Sequence, residues 1–352
     1  MARRSSLSRK VAAALGIVTA AGAVFGVILN AQKIGEMFIE WRAGSQHAKD
    51  AAKQEGDLLK VATAQQEAKD YAAAWKSLEE AAALAPKNDE VRTQREDLAM
   101  AWVRDARLGG TVGPASFMAF VAPLVPVLDD GVRRAQGAHK ATLLAHRGWA
   151  EFLRERDEPE HHNPSAFYTQ ALGIDPANPY AHAMLGHWML SDHQDRAAAI
   201  AHFDAAAASA ETRPYVRRME LAALKNNSFN DNAAEILRVA NAIRFEGGSI
   251  EPGTRRDIHS LYYGLWGKAD DPLLHALPPD EHAVFYRWLF ADDLADPTRE
   301  PSYALYLVAI EEHAGHRDAA RAELTTLRAR LGDGDGPLKR EIAAALARLG
   351  KS

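Results

Sequence analysis

Apolar and small residues recur every three or four positions along most of the chain, which is the period of an α-helix that buries one face. In DYAAAWKSLEEAAALAPKN, residues 70–88, this period places Ala74, Leu78 and Ala81 on the same side. Pro86 then ends the helix, because proline cannot continue it. The small side chains on this face predict that a second, antiparallel helix packs closely against it.

The same spacing occurs again in the middle of the chain. In AFYTQALGIDPANP, residues 166–179, Tyr168 and Ala171 occupy the corresponding places and a proline again follows. The next segment, YAHAMLGHWMLSDHQDRAAAIAHFDAAAASA, has Gly186 in its first helix, one extra residue in its turn and Phe203 in its second helix. Because one helix pair cannot bury both of its faces, this recurrence predicts pairs that stack on one another.

Less regular segments extend the pattern. In KATLLAHRGWAEFL, Gly148 matches Gly186, and an insertion, RERDEPEHHNPS, separates this helix from the next one. Residues 214–246 predict a helical hairpin through KNNSFND, and YALYLVAIEEHAGHRDAARAELTTL predicts another pair. The last helix, PLKREIAAALARLG, is typical of a solubilising cap, with charges on one side and an apolar side opposite. That apolar side consists of Leu338, Ile342, Leu346 and Leu349.

Residues 55–88 resemble a tetratricopeptide repeat in their length of 34 residues, their Asp-Tyr-x-x-Ala turn, their Leu-x-x-Ala face and their final Pro-x-Asn. The resemblance extends over most of residues 55–331. It implies an all-α fold, a tetratricopeptide-like superhelix of helical hairpins, or α-solenoid. Residues 332–352 would then form a linker and a C-terminal capping helix.

The resemblance also implies a function, because tetratricopeptide repeats bind peptides or partner proteins in a concave face lined mainly by the first helix of each repeat. On this chain that face would include Thr63, Gln66, Tyr180, His187 and Ser191. The implied role is a protein–protein interaction scaffold, or an accessory subunit of a larger envelope or signalling complex. Neither role involves a cofactor or an enzymatic activity.

The N-terminal segment has the pattern of a membrane anchor. Residues 11–29 contain no charged side chain, and four basic residues occur within residues 1–10. We therefore expect a single transmembrane helix at 11–31, followed by an exit helix and tether at 32–54. A cleaved signal peptide is the alternative, although cutting after Ala23 would leave the apolar sequence VFGVIL as a new terminus.

The basic flank predicts the orientation of this anchor. By the positive-inside rule the N-terminus stays in the cytoplasm and the repeats lie outside it, in the periplasm of a bacterium. Basic residues soon after the span leave a cytoplasmic repeat domain as the alternative. Gly22 and Gly26 form a G-x-x-x-G spacing that favours helix packing and a homodimer. Chance occurrence in an alanine- and glycine-rich segment is the other interpretation.

Composition narrows the function classes. The formal net charge of −5 gives no global argument for nucleic-acid binding, and the absence of cysteine removes thiol catalysis, disulfides and cysteine-ligated zinc. The sequence has no Walker loop, no G-x-S-x-G elbow and no H-E-x-x-H motif. The sequence therefore predicts no catalytic residue.

Fourteen histidines raise a metal hypothesis. One candidate group combines His161 and His162 with the neighbouring Glu158 and Glu160. Another pairs His313 with His316. Adjacent histidines seldom converge on one ion without further ligands, so we predict no metal site and keep a metal-dependent sensor or enzyme on a helical scaffold as the alternative function.

Two segments interrupt the repeats. Residues 111–128 are apolar and contain no charged side chain. Their three prolines nevertheless favour a buried, irregular helical stretch over a second membrane crossing. Residues 247–290 are crowded with aromatic side chains. We expect those to form a packed junction between helices, and an exposed aromatic binding surface is the alternative.

Overall fold

The computed structural model describes residues 49–106, 116–158, 163–193, 195–296, 301–332 and 336–350. Throughout these ranges the secondary structure is helical and contains no strand. The predicted anchor, with Gly22 and Gly26, lies outside the described residues, as do His161 and His162. The chain divides into two compact units, Met1–Leu98 and Ala99–Ser352.

The α-helices follow one another with short connections. In chain order they are α1 (residues 49–67), α2 (Tyr71–Leu84), α3 (Asp89–Asp105), α4 (Phe117–Val121), α5 (Val125–Arg134), α6 (Gly137–Glu155), α7 (Pro164–Ile174), α8 (Pro179–Trp188), α9 (Arg196–Ala207), α10 (Arg213–Asn226), α11 (Ala233–Phe245), α12 (Pro252–Leu261), α13 (Pro279–Leu289), α14 (Ala291–Ala295), α15 (Ser302–His313), α16 (Arg317–Arg330) and α17 (Pro337–Leu349). A π-helical turn at Met189–His193 and a 3-10 turn at Pro272–His275 complete the set in the described ranges.

In the first unit, α1 and α2 form the predicted helix pair. The expected face of α2 is buried, with Ala74, Leu78 and Ala81 at most 1% exposed. The Ser77 hydroxyl donates a hydrogen bond of 2.9 Å to the Gln65 side chain across the pair. Helix α1 already includes residue 49, so the last residues of the predicted tether, 49–54, belong to this helix.

In the second unit, α6 and α7, α8 and α9, and α10 and α11 form three successive hairpins. Helix α8 packs against α6 on one side and α10 on the other, so the first helices of the three hairpins form one layer. The predicted equivalence of Gly148 and Gly186 is confirmed by their surroundings. A Cβ atom on Gly148 would lie 2.6 Å from the Tyr168 ring, and one on Gly186 would lie 3.2 Å from the Phe203 ring.

The extra residue expected in the turn after α8 has a structural counterpart. Helix α8 continues into the π-helical turn Met189–His193 before α9 begins. A π-turn holds one more residue than an α-turn, which lets an insertion be absorbed without shifting the helices that follow. The regular packing of α8 on α9 is therefore kept.

The aromatic residues after α11 form the predicted packed junction. Tyr262, Phe285, Tyr286 and Phe290 have no exposed surface. The rings of Tyr262, Tyr286 and Phe290 contact one another through edge-to-face and tilted pairs, and the Phe285 ring contacts that of Trp288. Tyr263 is the exception, at 61% exposure. The junction thus replaces the small-residue packing of the hairpins by aromatic packing.

Helix α17 packs its apolar side on the preceding helices, as expected of a capping helix. Ile342 and Leu349 are buried, while Leu338 and Leu346 pack partly buried against the same cluster. Its partner in this cluster is α16, through residues such as Leu324. The predicted apolar side of the cap is confirmed.

Among the described residues, none of the helices combines the length and apolar character needed to cross a membrane. Within the segment 111–128 the structure describes residues from 116 onward, where α4 and the start of α5 lie. Val121, Leu124 and Leu128 are fully buried there. For this part, the irregular helical stretch is confirmed, and its burial is confirmed for one side, since Ala122, Pro123 and Pro126 are exposed.

Candidate functional site

Tyr180, one of the residues predicted to bind a partner, lies near the start of α8. That helix begins where the Asn178 side chain accepts a hydrogen bond from the Ala181 amide, which fixes the position of its first turn. The half-buried Tyr180 ring lies 4.8 Å from the His146 ring on α6 and 5.6 Å from the Tyr215 ring on α10. One residue from each first helix therefore meets at this point.

Arg104, near the end of α3, completes the group. Its guanidinium carbon lies 5.7 Å from the Tyr180 ring centre and 5.4 Å from that of Tyr215, both within cation–π range. Its Nη1 donates a hydrogen bond of 3.4 Å to the Tyr180 hydroxyl. Asp105 lies 3.5 Å from the guanidinium and partly balances its charge. We call Arg104, His146, Tyr180 and Tyr215 the arginine–tyrosine cluster.

Burial decides the protonation states in this cluster. Burial, and then the charge of Arg104, lower the pKa of His146 to about 3, so that its ring is neutral at pH 7. Its Nδ1 lies 2.8 Å from the Thr142 carbonyl oxygen, and the Nδ1 proton is donated to it. Burial also raises the pKa of the Tyr215 hydroxyl, which stays protonated. Arg104 is thus the charged member of the cluster at neutral pH.

The surface beside the cluster carries further positive charge. Arg218 follows Tyr215 by one turn on α10 and is exposed. Farther along the same helix, Lys225 pairs with Asp257 at 2.6 Å and donates to the Thr254 hydroxyl at 3.0 Å. Between α10, the end of α11 and the start of α12 these residues line a shallow cavity of about 210 Å³.

His187 requires a correction to the prediction. Its side chain is fully buried, with its ring edge-on to Trp149 and Phe152 at 5.0 and 5.2 Å. A side chain packed between α6 and α8 cannot reach a partner at the surface. Ser191, in the π-helical turn, is half-buried and lies 3.3 Å from the His187 ring, so it sits at the edge of the same packing.

The other predicted contacts lie in the first unit. Thr63 is exposed on α1 and its hydroxyl donates to the Leu59 carbonyl of the preceding turn at 3.0 Å. Gln66 is half-buried on the same helix. Their part in partner binding stays a prediction.

Of the histidines considered as metal ligands, the structure describes His313 and His316, and their rings have different neighbours. His316 lies between two carboxylates, with Nδ1 at 2.6 Å from Glu311 and Nε2 at 3.1 Å from Asp280. The His313 ring instead contacts the His275 ring, with centres 4.7 Å apart. Across the described residues, no group of three or more histidine, aspartate or glutamate side chains is placed to hold a metal ion.

A larger groove lies near the cap. It has a volume of about 840 Å³ and is lined by alanines and by polar or charged residues of α15 and α17, and by the loop that contains Trp266. Two of the charges in its lining are paired, since Arg348 donates to Glu312 at 2.7 Å. The sequence did not predict this groove, because its walls come from segments about eighty residues apart.

Comparison with known proteins adds little to this description. The sequence matches no family model, and no curated protein matches it either. The structure is similar to the crystal structure of a tetratricopeptide repeat protein from Parabacteroides merdae, with 15% sequence identity and a TM-score of 0.37. The similarity covers 84% of this chain and 99% of that one.

Proposed function

We propose that this chain is a scaffold that binds a partner protein or peptide, and that the arginine–tyrosine cluster is part of its binding surface. The observation that carries the proposal is the convergence of two partly exposed side chains, Arg104 on α3 and Tyr180 on α8, against the buried Tyr215 on α10. Arginine and tyrosine dominate the energetics of protein interfaces, because they combine a large contact area with directional hydrogen bonds.

The chemistry of the cluster suggests what part of a partner it would contact. The Tyr180 ring offers an apolar face, and the Arg104 guanidinium has more donors than its contacts with Tyr180 and Asp105 use. A partner segment with a hydrogen-bond acceptor next to an apolar side chain would fit both. The resemblance of the sequence to tetratricopeptide repeats supports a scaffold over an enzyme, and the proposal assigns no catalytic residue.

The test begins by identifying partners of the full chain, captured from detergent-solubilised membranes. Binding of a purified partner is then compared between the wild type, Arg104→Ala and Tyr180→Ala. We expect each substitution to weaken binding by about tenfold or more, the effect of losing an interface hot spot. Unchanged affinity in both variants would exclude the cluster from the binding surface.

Matched control variants come from the same chain. Tyr263→Ala removes an exposed tyrosine elsewhere, and Arg328→Ala removes an exposed arginine on the second helix of a hairpin. Both should bind as the wild type does. Melting curves followed by circular dichroism would show whether any loss of affinity follows from unfolding.

We also propose that residues 11–31 anchor the chain in a membrane with the repeats outside the cytoplasm. Support comes from the uncharged apolar run and the basic residues before it. An anchored scaffold meets its membrane partners at a raised effective concentration, so weak binding would suffice. Protease added to spheroplasts should digest the repeats, and the full-length chain should stay in the membrane after a carbonate wash.

Two results would contradict this arrangement. Repeats protected from the protease would place them in the cytoplasm, and a soluble form that begins after residue 23 would identify a cleaved signal peptide. A homodimer through Gly22 and Gly26 is part of the same proposal. Replacing both glycines by leucine should then abolish cross-linking between membrane helices.

A further inference from the structure

Two histidines face each other across the hairpin of α8 and α9. The Nδ1 atoms of His182 and His202 are 2.8 Å apart and their ring centres are 5.1 Å apart. Both side chains are half-buried, so they are held by the hairpin and still reachable from solvent. Twenty positions separate them along the chain.

The hydrogen bonds around the pair fix its tautomers. The Nε2 of His182 lies 2.9 Å from the Pro176 carbonyl oxygen, which can only accept, so Nε2 carries the proton and Nδ1 of the neutral ring has a lone pair. The Nδ1 of His202 must then donate its proton to that lone pair. Burial and the neighbouring His182 lower the pKa of His202, which favours its neutral form at pH 7.

A histidine whose outer nitrogen donates to a backbone carbonyl has the arrangement typical of a metal ligand. This second contact orients the ring and leaves the other nitrogen available for coordination. His182 has this arrangement through Pro176. His202 would offer its Nδ1 lone pair after a tautomer change, in which Nδ1 gives its proton to water and Nε2 takes up a proton from water.

We propose that His182 and His202 together bind a divalent transition-metal cation, Ni²⁺ or Cu²⁺, through their Nδ1 atoms. With metal–nitrogen bonds of about 2.0 Å, two ligands at a right angle lie about 2.8 Å apart, whereas tetrahedral ligands lie about 3.3 Å apart. The observed 2.8 Å is the length of the present hydrogen bond, which the cation would replace, and it lies close to the spacing of two ligands on one cation. Ni²⁺ and Cu²⁺ are the expected cations because imidazole suits both and they bind most tightly among the divalent first-row metals. Each ring would have to turn so that its lone pair points at the cation.

The proposed site has two protein ligands, and water would occupy the other positions. A spacing of twenty residues along the chain does not by itself bring two side chains together. The folded hairpin does bring them together.

The experiment is a titration of the purified full chain, kept in detergent and free of affinity-tag histidines, with NiCl₂ and with CuCl₂ by isothermal calorimetry. His182→Asn and His202→Asn should each weaken binding at this site by about tenfold or more, since one of two ligands is lost. Two controls should leave it unchanged: the single variant His139→Asn and the double variant His161→Asn with His162→Asn. Equal affinity in the wild type and in both pair variants would overturn the proposal.

Electron paramagnetic resonance of the Cu²⁺-loaded protein provides an independent measurement. The wild-type spectrum alone shows whether histidine nitrogens coordinate the cation, even if a variant fails to fold. Two coordinated imidazole nitrogens are expected in the wild-type spectrum, and fewer in either pair variant. If the wild type shows no histidine coordination, or if its signal is lost only in the His161 and His162 control, the pair is a hydrogen bond between two helices and the proposal is wrong.

Discussion

The side chains between helices are packed differently in the hairpins from α6 to α9 and in the region from α12 to α15. In the hairpins a glycine faces a bulky ring: Gly148 lies against Tyr168, and Gly186 lies against Phe203. In the later region the rings face one another, with Tyr262 and Tyr286 centred 4.9 Å apart and edge-on. Helices can approach closely in the first arrangement and are held apart by aromatic volume in the second.

The helix starts differ in the same way. Helices α7, α8 and α9 each begin with a side chain that accepts a hydrogen bond from the first turn, supplied by Asn163, Asn178 and Asp195. Helices α12, α13 and α15 have no side-chain bond of this kind, and within the hairpins α6 lacks one as well. Side-chain caps therefore recur at the starts of α7, α8 and α9, whereas the three later helices begin without them.

The largest loss of stability that we expect comes from breaking the aromatic packing of the later region. Tyr262→Ala should lower the free energy of unfolding by about 3–5 kcal/mol, the cost of removing a fully buried aromatic side chain. The substitution also removes the bond of 2.9 Å between the Tyr262 hydroxyl and His282 Nε2. Urea denaturation followed by circular dichroism measures the loss.

The neighbouring tyrosine is the matched control. Tyr263 is 61% exposed, so Tyr263→Ala should cost less than about 1 kcal/mol. Similar costs at the two positions would show that the junction is not the packed core described above.

The second prediction concerns the glycines of the hairpins. In Gly148→Ala the new Cβ would lie 2.6 Å from the Tyr168 ring and 2.9 Å from the Cβ of Phe167, so helices α6 and α7 must separate. The expected cost is about 3 kcal/mol, at the upper end for overpacking, because one obstructing atom is close to the backbone.

Gly173, on α7, provides the opposite case. Nothing lies within 4 Å of a Cβ added there, so Gly173→Ala should be neutral or should stabilise the helix by up to about 1 kcal/mol. A Gly148→Ala variant as stable as Gly173→Ala would contradict the close approach of α6 and α7.

This contrast also explains how much could be predicted from the sequence. The buried face of α2 and the matched places of Gly148 and Gly186 followed from spacing alone, because helical periodicity is local. The buried position of His187 and the meeting of Arg104 with Tyr215 did not. Those depend on how each hairpin is rotated against the next, which no short stretch of sequence specifies.

The third prediction compares the two regions by acid titration. Burial lowers the pKa of His146, in the hairpins, to about 3 and that of His282, in the later region, to about 4. Because both values lie below the unfolded value of about 6.5, each histidine stabilises the fold fully above that pH and loses its contribution as the pH falls toward its folded pKa. Between pH 7 and pH 5 the loss should be about 2 kcal/mol for each.

Denaturation at both pH values, in the wild type and in His146→Gln and His282→Gln, measures this dependence. Each variant should lose about 2 kcal/mol less than the wild type over the same interval. His139→Gln serves as the control, because it changes a histidine that is exposed on α6. If His146→Gln and the wild type respond equally to acid, His146 is not held neutral by burial.

The smallest expected effect tests the helix starts. At the start of α9 the exposed Asp195 side chain accepts a hydrogen bond of 3.1 Å from the Ala198 amide, whereas Glu251 at the start of α12 makes no such bond. Asp195→Ala should therefore cost about 1 kcal/mol, the usual effect of losing an N-cap, and Glu251→Ala should stay within about 0.5 kcal/mol. Thermal melts can resolve that difference, and Asp195→Asn should recover most of the loss because asparagine caps equally well. Equal costs for the two alanine variants would mean that the hairpins owe their regular geometry to interhelical packing and not to the caps that recur along their sequence.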